Sequence, residues 1–223
     1  MAAMTADVTH LGLYSIADAS RYAQIPSSTV RRWLEREGRG KAWRDNLVGF
    51  DDLISLLFVH EFRQHNVKLR EVIRAEAQLR QWFNWGHPFV HEGLWTAGGD
   101  ILIRVPADEG PAGDKVMSAN RGGQVALSIV QLKTVQLPQL VRDIKTQLTY
   151  EDERVAAWRP AEDVVARPAT QFGLTCIEGT RIPTRSIFQA ISAGDSPAQL
   201  ARLYGVDQDK IERAAEWERQ LAA

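Results

Sequence analysis

The stretch Tyr14-Ser15-Ile16-Ala17-Asp18-Ala19-Ser20-Arg21-Tyr22-Ala23-Gln24-Ile25-Pro26-Ser27-Ser28-Thr29-Val30-Arg31-Arg32-Trp33 decides how the chain is read. Ile16, Ala19 and Ala23 recur at helical spacing, and so do Val30, Trp33 and Leu34, which predicts two short helices, each with one narrow apolar stripe. The break between them is chemically specified. Pro26 cannot continue the first helix, and Ser27 or Ser28 offers a hydroxyl to cap the second. Two stripes joined by so short a turn can pack on each other as a helix-turn-helix. Trp33 is expected in the core, as a large indole on an apolar stripe. The outer face of the second helix then carries Ser28, Thr29, Arg31, Arg32 and Arg36, donors suited to phosphate oxygens and base edges. DNA is the expected ligand.

Downstream lies Arg36-Glu37-Gly38-Arg39-Gly40-Lys41-Ala42-Trp43-Arg44, a basic stretch punctuated by glycines, then Phe50-Asp51-Asp52-Leu53 at the start of another helix. The Tyr14-Ser15-Ile16 start and the Arg31-Arg32-Trp33 ending resemble the winged helix-turn-helix of the MerR family, a likeness that covers residues 13–85. The resemblance implies a wing in the glycine-punctuated stretch and carries DNA contact onto Ser15, Arg31 and Arg32. In a wing, Arg39, Lys41 and Arg44 would lie along the phosphate backbone, giving salt-dependent affinity without sequence information. The bland alternative is a solvated basic loop.

Composition bounds the rest. A chain of 223 residues with 44% hydrophobic content has ample material for a core and room for one large or two to three small domains. The net charge of −1 argues against a protein coated with nucleic acid, but the charge is local: the basic residues Arg21 to Arg44 confine the positive footprint to the N-terminal quarter. The single cysteine excludes an intramolecular disulfide. No apolar run approaches a membrane span and the start lacks a signal-peptide core, so no membrane partner is expected and the cytoplasm is the simplest compartment.

Residues 1–12 read as a flexible arm. Helices are predicted over Asp51 to His65 and Leu69 to Trp82, with Asn66 placed for a left-handed cap and Lys68 where the MerR family favours a small hydroxyl residue. Residues 86–158 read differently. Leu94-Trp95 and Ile101 to Val105 flank Gly98-Gly99 as a hairpin, Pro106 to Gly123 reads as a polar loop, Gln124 to Val130 as a strand, and Pro138 opens a helix through Leu148. This insert is the expected partner surface, with a domain-bridging sheet as the alternative.

Trp158-Arg159-Pro160 reads as a boundary, followed by an extended stretch at Val164-Val165-Ala166. In the C-terminal segment, residues 159–223, Gly179-Thr180-Arg181-Ile182-Pro183 precedes a helical region, and Ser196-Pro197 starts a helix with a serine cap and proline at its first position. Tyr204-Gly205-Val206 makes a turn and Asp207 caps a last helix, a second helix-turn-helix pattern. The Gly-Thr-Arg-Ile-Pro core resembles a widespread small bacterial domain found in antitoxins beside PIN-domain toxins. Joined to a MerR-like start, it resembles an antitoxin of the VapB type. That resemblance implies a PIN-domain ribonuclease as partner, operator DNA as ligand and autorepression of the shared operon; a homodimer is expected because a palindromic operator mirrors two-fold symmetry.

A second DNA or partner site is placed at Thr180, Arg181, Thr184 and Arg185. Against a DNA role stand the carboxylates of the last helix, Asp207, Asp209, Glu212, Glu216 and Glu218, which predict an acidic exposed face suited to dimerisation or partner contact. Gly179 and Pro183 also suit a plain turn, and Arg181 a surface pair with Glu178. No metal-ligand spacing occurs, Cys176 has no recognisable base, and no cofactor or enzymatic activity is expected. The alternative is a stand-alone MerR-like regulator that senses a small molecule through residues 86–158. The expected fold is mainly α with a small antiparallel β insert, two helix-turn-helix-like domains joined by a strand-containing segment.

Overall fold

The computed structural model describes residues 13–35, 47–64, 67–91, 94–97, 100–105, 115–121, 125–128, 144, 146–152 and 154–222. Among them the chain is mainly helical with small antiparallel sheets. The candidate DNA-contacting residues Arg36, Arg39, Lys41 and Arg44, and the Pro138 start of the predicted helix, lie outside the described residues. The chain divides into two compact units. One combines residues 1–53, 147–149 and 156–223, and the other residues 54–146 and 150–155. These limits fall elsewhere than at the sequence boundaries 85/86 and 158/159.

In the first unit, β1 (Tyr14–Ser15) pairs antiparallel with β2 (Leu47–Val48), and α1 (Ile16–Ala23) and α2 (Ser27–Leu34) follow β1. The apolar stripes read from the sequence are the buried faces: Ile16, Ala19, Tyr22 and Ala23 on α1, and Val30, Trp33 and Leu34 on α2. The next helix, α3 (Phe50–Gln64), belongs to the first unit only through Leu53 and to the second from Ile54 on; it has Leu53, Ile54, Leu56, Leu57, Phe58, Val59 and Phe62 buried, so it lacks a single apolar stripe. The C-terminal part of the first unit holds β9 (Val164–Ala166), β10 (Thr175–Ile177) and three helices, α5 (Thr184–Ser192), α6 (Pro197–Tyr204) and α7 (Gln208–Ala222). Its core is Ile177, Ile187, Leu200, Ile211, Ala214 and Ala215.

Several expectations are corrected. Trp158-Arg159-Pro160 is strand and not linker: all three lie inside β8 (Arg154–Ala161), and Trp158 is 2% exposed. The strand tolerates Pro160 because its pairing with β9 is irregular between Trp158 and Ala161, where a missing N–H breaks no regular ladder. Strands are thus not confined to an insert. One sheet has the order β10-β9-β8-β7, where β7 is Leu148–Glu151, so Leu148 opens a strand and does not share a helical face.

In the second unit, β3 (Leu94–Ala97) and β4 (Asp100–Val105) pair antiparallel with Ala97 opposite Asp100, as the strand reading predicts, while Gly98 and Gly99 lie outside the described residues. The polar loop expected from Pro106 to Gly123 contains β5 (Lys115–Ser118), which lies between β4 and β6 (Val125–Ser128). Its shift in register between Val116 and Met117 interrupts the alternation on which strand recognition depends. Phe62 meets Phe89 edge to face at 5.5 Å, and α4 (Leu69–Phe83) buries Val72, Ala75 and Leu79. That helix has no side-chain cap at Lys68 and ends in a left-handed Asn84. Rings of Phe83, Trp85 and His91 stack with centroids 4.4 and 3.9 Å apart. Burial, aided by the charge of Arg154, holds the His91 imidazole down to about 4, neutral at ordinary pH.

Candidate nucleic-acid interface

The interface begins with the caps that set the ends of α1. Ser15 precedes the helix in extended conformation, and its hydroxyl accepts the Asp18 N–H at 3.0 Å while donating to the Asp18 carboxylate at 2.7 Å. Its hydroxyl is thus engaged in ending the helix. Gln24 closes α1 in the left-handed region at φ 51°, and the Ser20 hydroxyl donates to the Ile25 carbonyl at 2.6 Å. Pro26 then stands at the N-cap of α2. The capping role expected of Ser27 or Ser28 is not realised: the helix starts one residue earlier than such a cap requires, and no side chain caps it.

Starting at Ser27 gives α2 its two faces. Val30 and Trp33 are fully buried and Leu34 nearly so, while Ser28, Arg31 and Arg32 are exposed and Thr29 half-buried. The first turn of α2 has no acidic residue, so nothing there opposes an approaching phosphate. The candidate contacts Ser28, Arg31 and Arg32 therefore share the outward side of one helix. Arg21 does not join them. The sequence groups it with the basic footprint, yet its guanidinium turns inward and donates to the Glu218 carboxylate at 2.7 Å, 197 residues along the chain.

Glu218 is the clearest departure from the acidic exposed face expected of α7. It is 1% exposed, because position 218 falls on the same inward side as Ile211, Ala214 and Ala215. Its other oxygen accepts the Thr184 hydroxyl at 2.5 Å, which lies 2.7 Å from the Thr175 hydroxyl, itself 3.3 Å from the Tyr22 hydroxyl. Charge and lone pairs are thereby satisfied away from water. Around this network runs a chain of edge-to-face rings: Tyr14 to Tyr22 at 5.9 Å, Tyr22 to Trp158 at 5.8 Å and Trp158 to Trp217 at 5.8 Å. Tyr14 also donates to the Gly173 carbonyl at 2.6 Å. Helix α1 is therefore seated on the C-terminal part of its own unit. Only Arg21 and Glu218 as unlike charges hinted at this in the sequence, and nothing in the spacing singles out that pair.

The four residues of the expected second site have different surroundings. Thr184 is fully buried in the network, and the Thr180 hydroxyl donates to the Ile177 carbonyl at 2.8 Å and accepts the Ile182 N–H at 3.1 Å within a turn that Gly179 permits at φ 78°. Arg181 and Arg185 are exposed, and Arg185 lies 3.6 Å from Asp18. The surface pair expected of Glu178 forms with Arg159, not Arg181. Cys176 is buried, and desolvation pushes its thiol up to about 11, so little reactive thiolate exists near neutral pH. No group of three or more metal-ligating side chains converges among the described residues, and none of their helices is long and apolar enough to cross a membrane.

Comparison with known proteins places part of this unit. Residues 164–217, from β9 to the middle of α7, match the family described as a protein of unknown function, DUF433. No curated protein matches the sequence. The crystal structure of Rv2018 from Mycobacterium tuberculosis is similar in fold: it is 17% identical, the match covers 90% of this chain and 96% of that one, and the TM-score is 0.61. Residues 164–217 are thus similar to the DUF433 family, and the fold over most of the chain is similar to that of Rv2018.

Proposed function

We propose that this protein is a DNA-binding antitoxin that represses its own operon through α2 and neutralises a PIN-domain ribonuclease. The observation that carries the DNA reading is the division of α2: Val30, Trp33 and Leu34 are buried, while Ser28, Arg31 and Arg32 point outward. A helix anchored by its apolar side and presenting arginines on the other is the arrangement needed to enter a groove. Ser15 contributes by capping α1. The toxin half of the proposal rests on the resemblance carried by Gly179 to Pro183 together with the MerR-like start. Helix α4 ends at Phe83, too short for the sustained heptads of a coiled-coil sensor, which favours this reading over the stand-alone regulator. A homodimer on a palindromic operator follows from the same reading.

The test is fluorescence anisotropy on the promoter duplex of the chain's own operon. Replacing Arg31 and Arg32 with alanine is expected to weaken binding by about ten-fold or more at low salt and to flatten the salt dependence by about one phosphate contact per arginine. The unfolding midpoint should move little, because both side chains are exposed. Unchanged affinity at low salt would sink the DNA assignment.

A further inference from the structure

Two ion pairs join α1 to the C-terminal part of its unit, and their surroundings differ. Arg185 lies 3.6 Å from Asp18 with its side chain 58% exposed, where solvent screens the attraction and little is gained. Arg21 instead reaches one oxygen of Glu218 at 2.7 Å, and that side chain is 1% exposed. The other oxygen accepts the Thr184 hydroxyl of α5 at 2.5 Å and lies 3.5 Å from the Thr175 hydroxyl of β10. One carboxylate therefore joins α1, α5 and β10 to α7. Tyr22, next to Arg21, lies 3.3 Å from the same Thr175 hydroxyl, so the last turn of α1 meets this junction through two residues. Stability alone does not account for such a pair. Apolar side chains of similar volume stabilise a buried site as well or better, because two charges must first be stripped of water. What the carboxylate adds is direction, since each of its oxygens holds a different element along a hydrogen-bond line.

We infer that Glu218 is a positioning residue for DNA recognition: by holding Arg21 it fixes the end of α1 from which α2 departs, and so the direction in which Ser28, Arg31 and Arg32 are presented. The connection is short and stiff. Only Gln24, Ile25 and Pro26 separate the two helices, the Ile25 N–H donates to the Ser20 carbonyl at 3.2 Å, and the Ser20 hydroxyl donates to the Ile25 carbonyl at 2.6 Å. A change in the set of α1 is therefore passed to α2. Glu218, buried on α7, touches no ligand itself. Its loss bears on sequence reading before it bears on charge, because hydrogen bonds to base edges need set directions whereas attraction to phosphates survives a small rotation. The inference rests on the DNA reading of α2 and makes that reading depend on α7.

The experiment separates orientation from stability by replacing the ion pair with an apolar one. The full chain carrying Arg21→Met and Glu218→Met is compared with wild type by fluorescence anisotropy on two probes, the promoter duplex of the chain's own operon and a scrambled duplex of equal length, with denaturant titration in parallel. Thr184 keeps the Thr175 carbonyl, 3.2 Å away, as an acceptor, so the unfolding midpoint should stay close to that of wild type. The expected result is a loss of promoter affinity of about ten-fold with scrambled-duplex affinity unchanged, so that discrimination falls by the same factor. Wild-type discrimination in the folded variant overturns the inference and leaves the α2 reading standing. Equal losses on both duplexes overturn it too, because they report lost phosphate contact. If the double variant does not fold, Glu218→Gln, which keeps an oxygen for Thr184, is measured well below its own midpoint against the same two outcomes. Leu200→Ala, a core change away from Arg21, should lower the midpoint and leave discrimination intact; an equal loss of discrimination there reduces Glu218 to a stabilising residue and overturns the inference. A wild type with no preference for its promoter overturns the α2 reading and the inference together.

Discussion

The pairs α1–α2 and α6–α7 share one plan and differ in almost every physical detail. Both join two short apolar stripes through a residue in the left-handed region, Gln24 at φ 51° in one and Gly205 at φ 67° in the other. The first pair puts glutamine where the geometry costs a side chain about 1 kcal/mol or more; the second puts glycine, for which the conformation is free. The start of α2 has no side-chain cap, whereas α6 starts with a full capping box in which Ser196 and Gln199 satisfy each other's backbone N–H groups. Outward charge also differs in sign, with Arg31 and Arg32 on α2 and Asp209, Glu212 and Glu216 on α7. Each pair sends one charge of its own sign inward, Arg21 and Glu218, and these meet. The lesson is that two helices joined through one left-handed residue leave the caps and the charge facing water undetermined.

The largest expected break comes from the meeting point. Glu218→Ala strands Arg21 and the Thr175–Thr184 hydroxyl pair without their acceptor, and should lower unfolding free energy by about 3–5 kcal/mol in denaturant titration. An unchanged midpoint would mean that α1 is not seated as described. A smaller contrast separates the starts of α6 and α2: Ser196→Ala should cost about 1 kcal/mol, while Ser27→Ala stays within about 0.5 kcal/mol because no capping bond is lost. Equal losses at both would contradict the difference in capping. The smallest effect is a gain. Gln24→Gly should raise the melting temperature, by relief worth about 0.5–1 kcal/mol at that left-handed residue, and Gly205→Ala should lower it, even though nothing lies within 4 Å of an added Cβ.

Local structure was legible where one rule acted alone. The stripes of α1 and α2, the Ser196 cap with Pro197 at the first position, and the antiparallel pairing of β3 with β4 each follow from spacing or from one residue's chemistry. What escaped was decided by distant partners. Trp158 and Pro160 look like a linker until β9 supplies an irregular neighbour, and Glu218 looks like one more surface acid until Arg21 and Thr184 arrive. Thr184 is the mirror case, a hydroxyl that looks available in the sequence and is enclosed in the fold. The outward residues of α2 were readable because their burial depends on one helix period. The seat of α1 was not, because it depends on a pairing across most of the chain.

That separation bears on biosynthesis. Helix α1 leaves the ribosome well before its carboxylate partner, which lies 197 residues later in the chain. Until then Tyr14, Arg21 and Tyr22 have no Gly173, Thr175 or Glu218 to receive them. A nascent chain carries the arginine-bearing helix long before it carries its support, so the bond from Arg21 to Glu218 can form only once α7 has been made. A protease that removed α7 afterwards would return the pair to that unfinished condition.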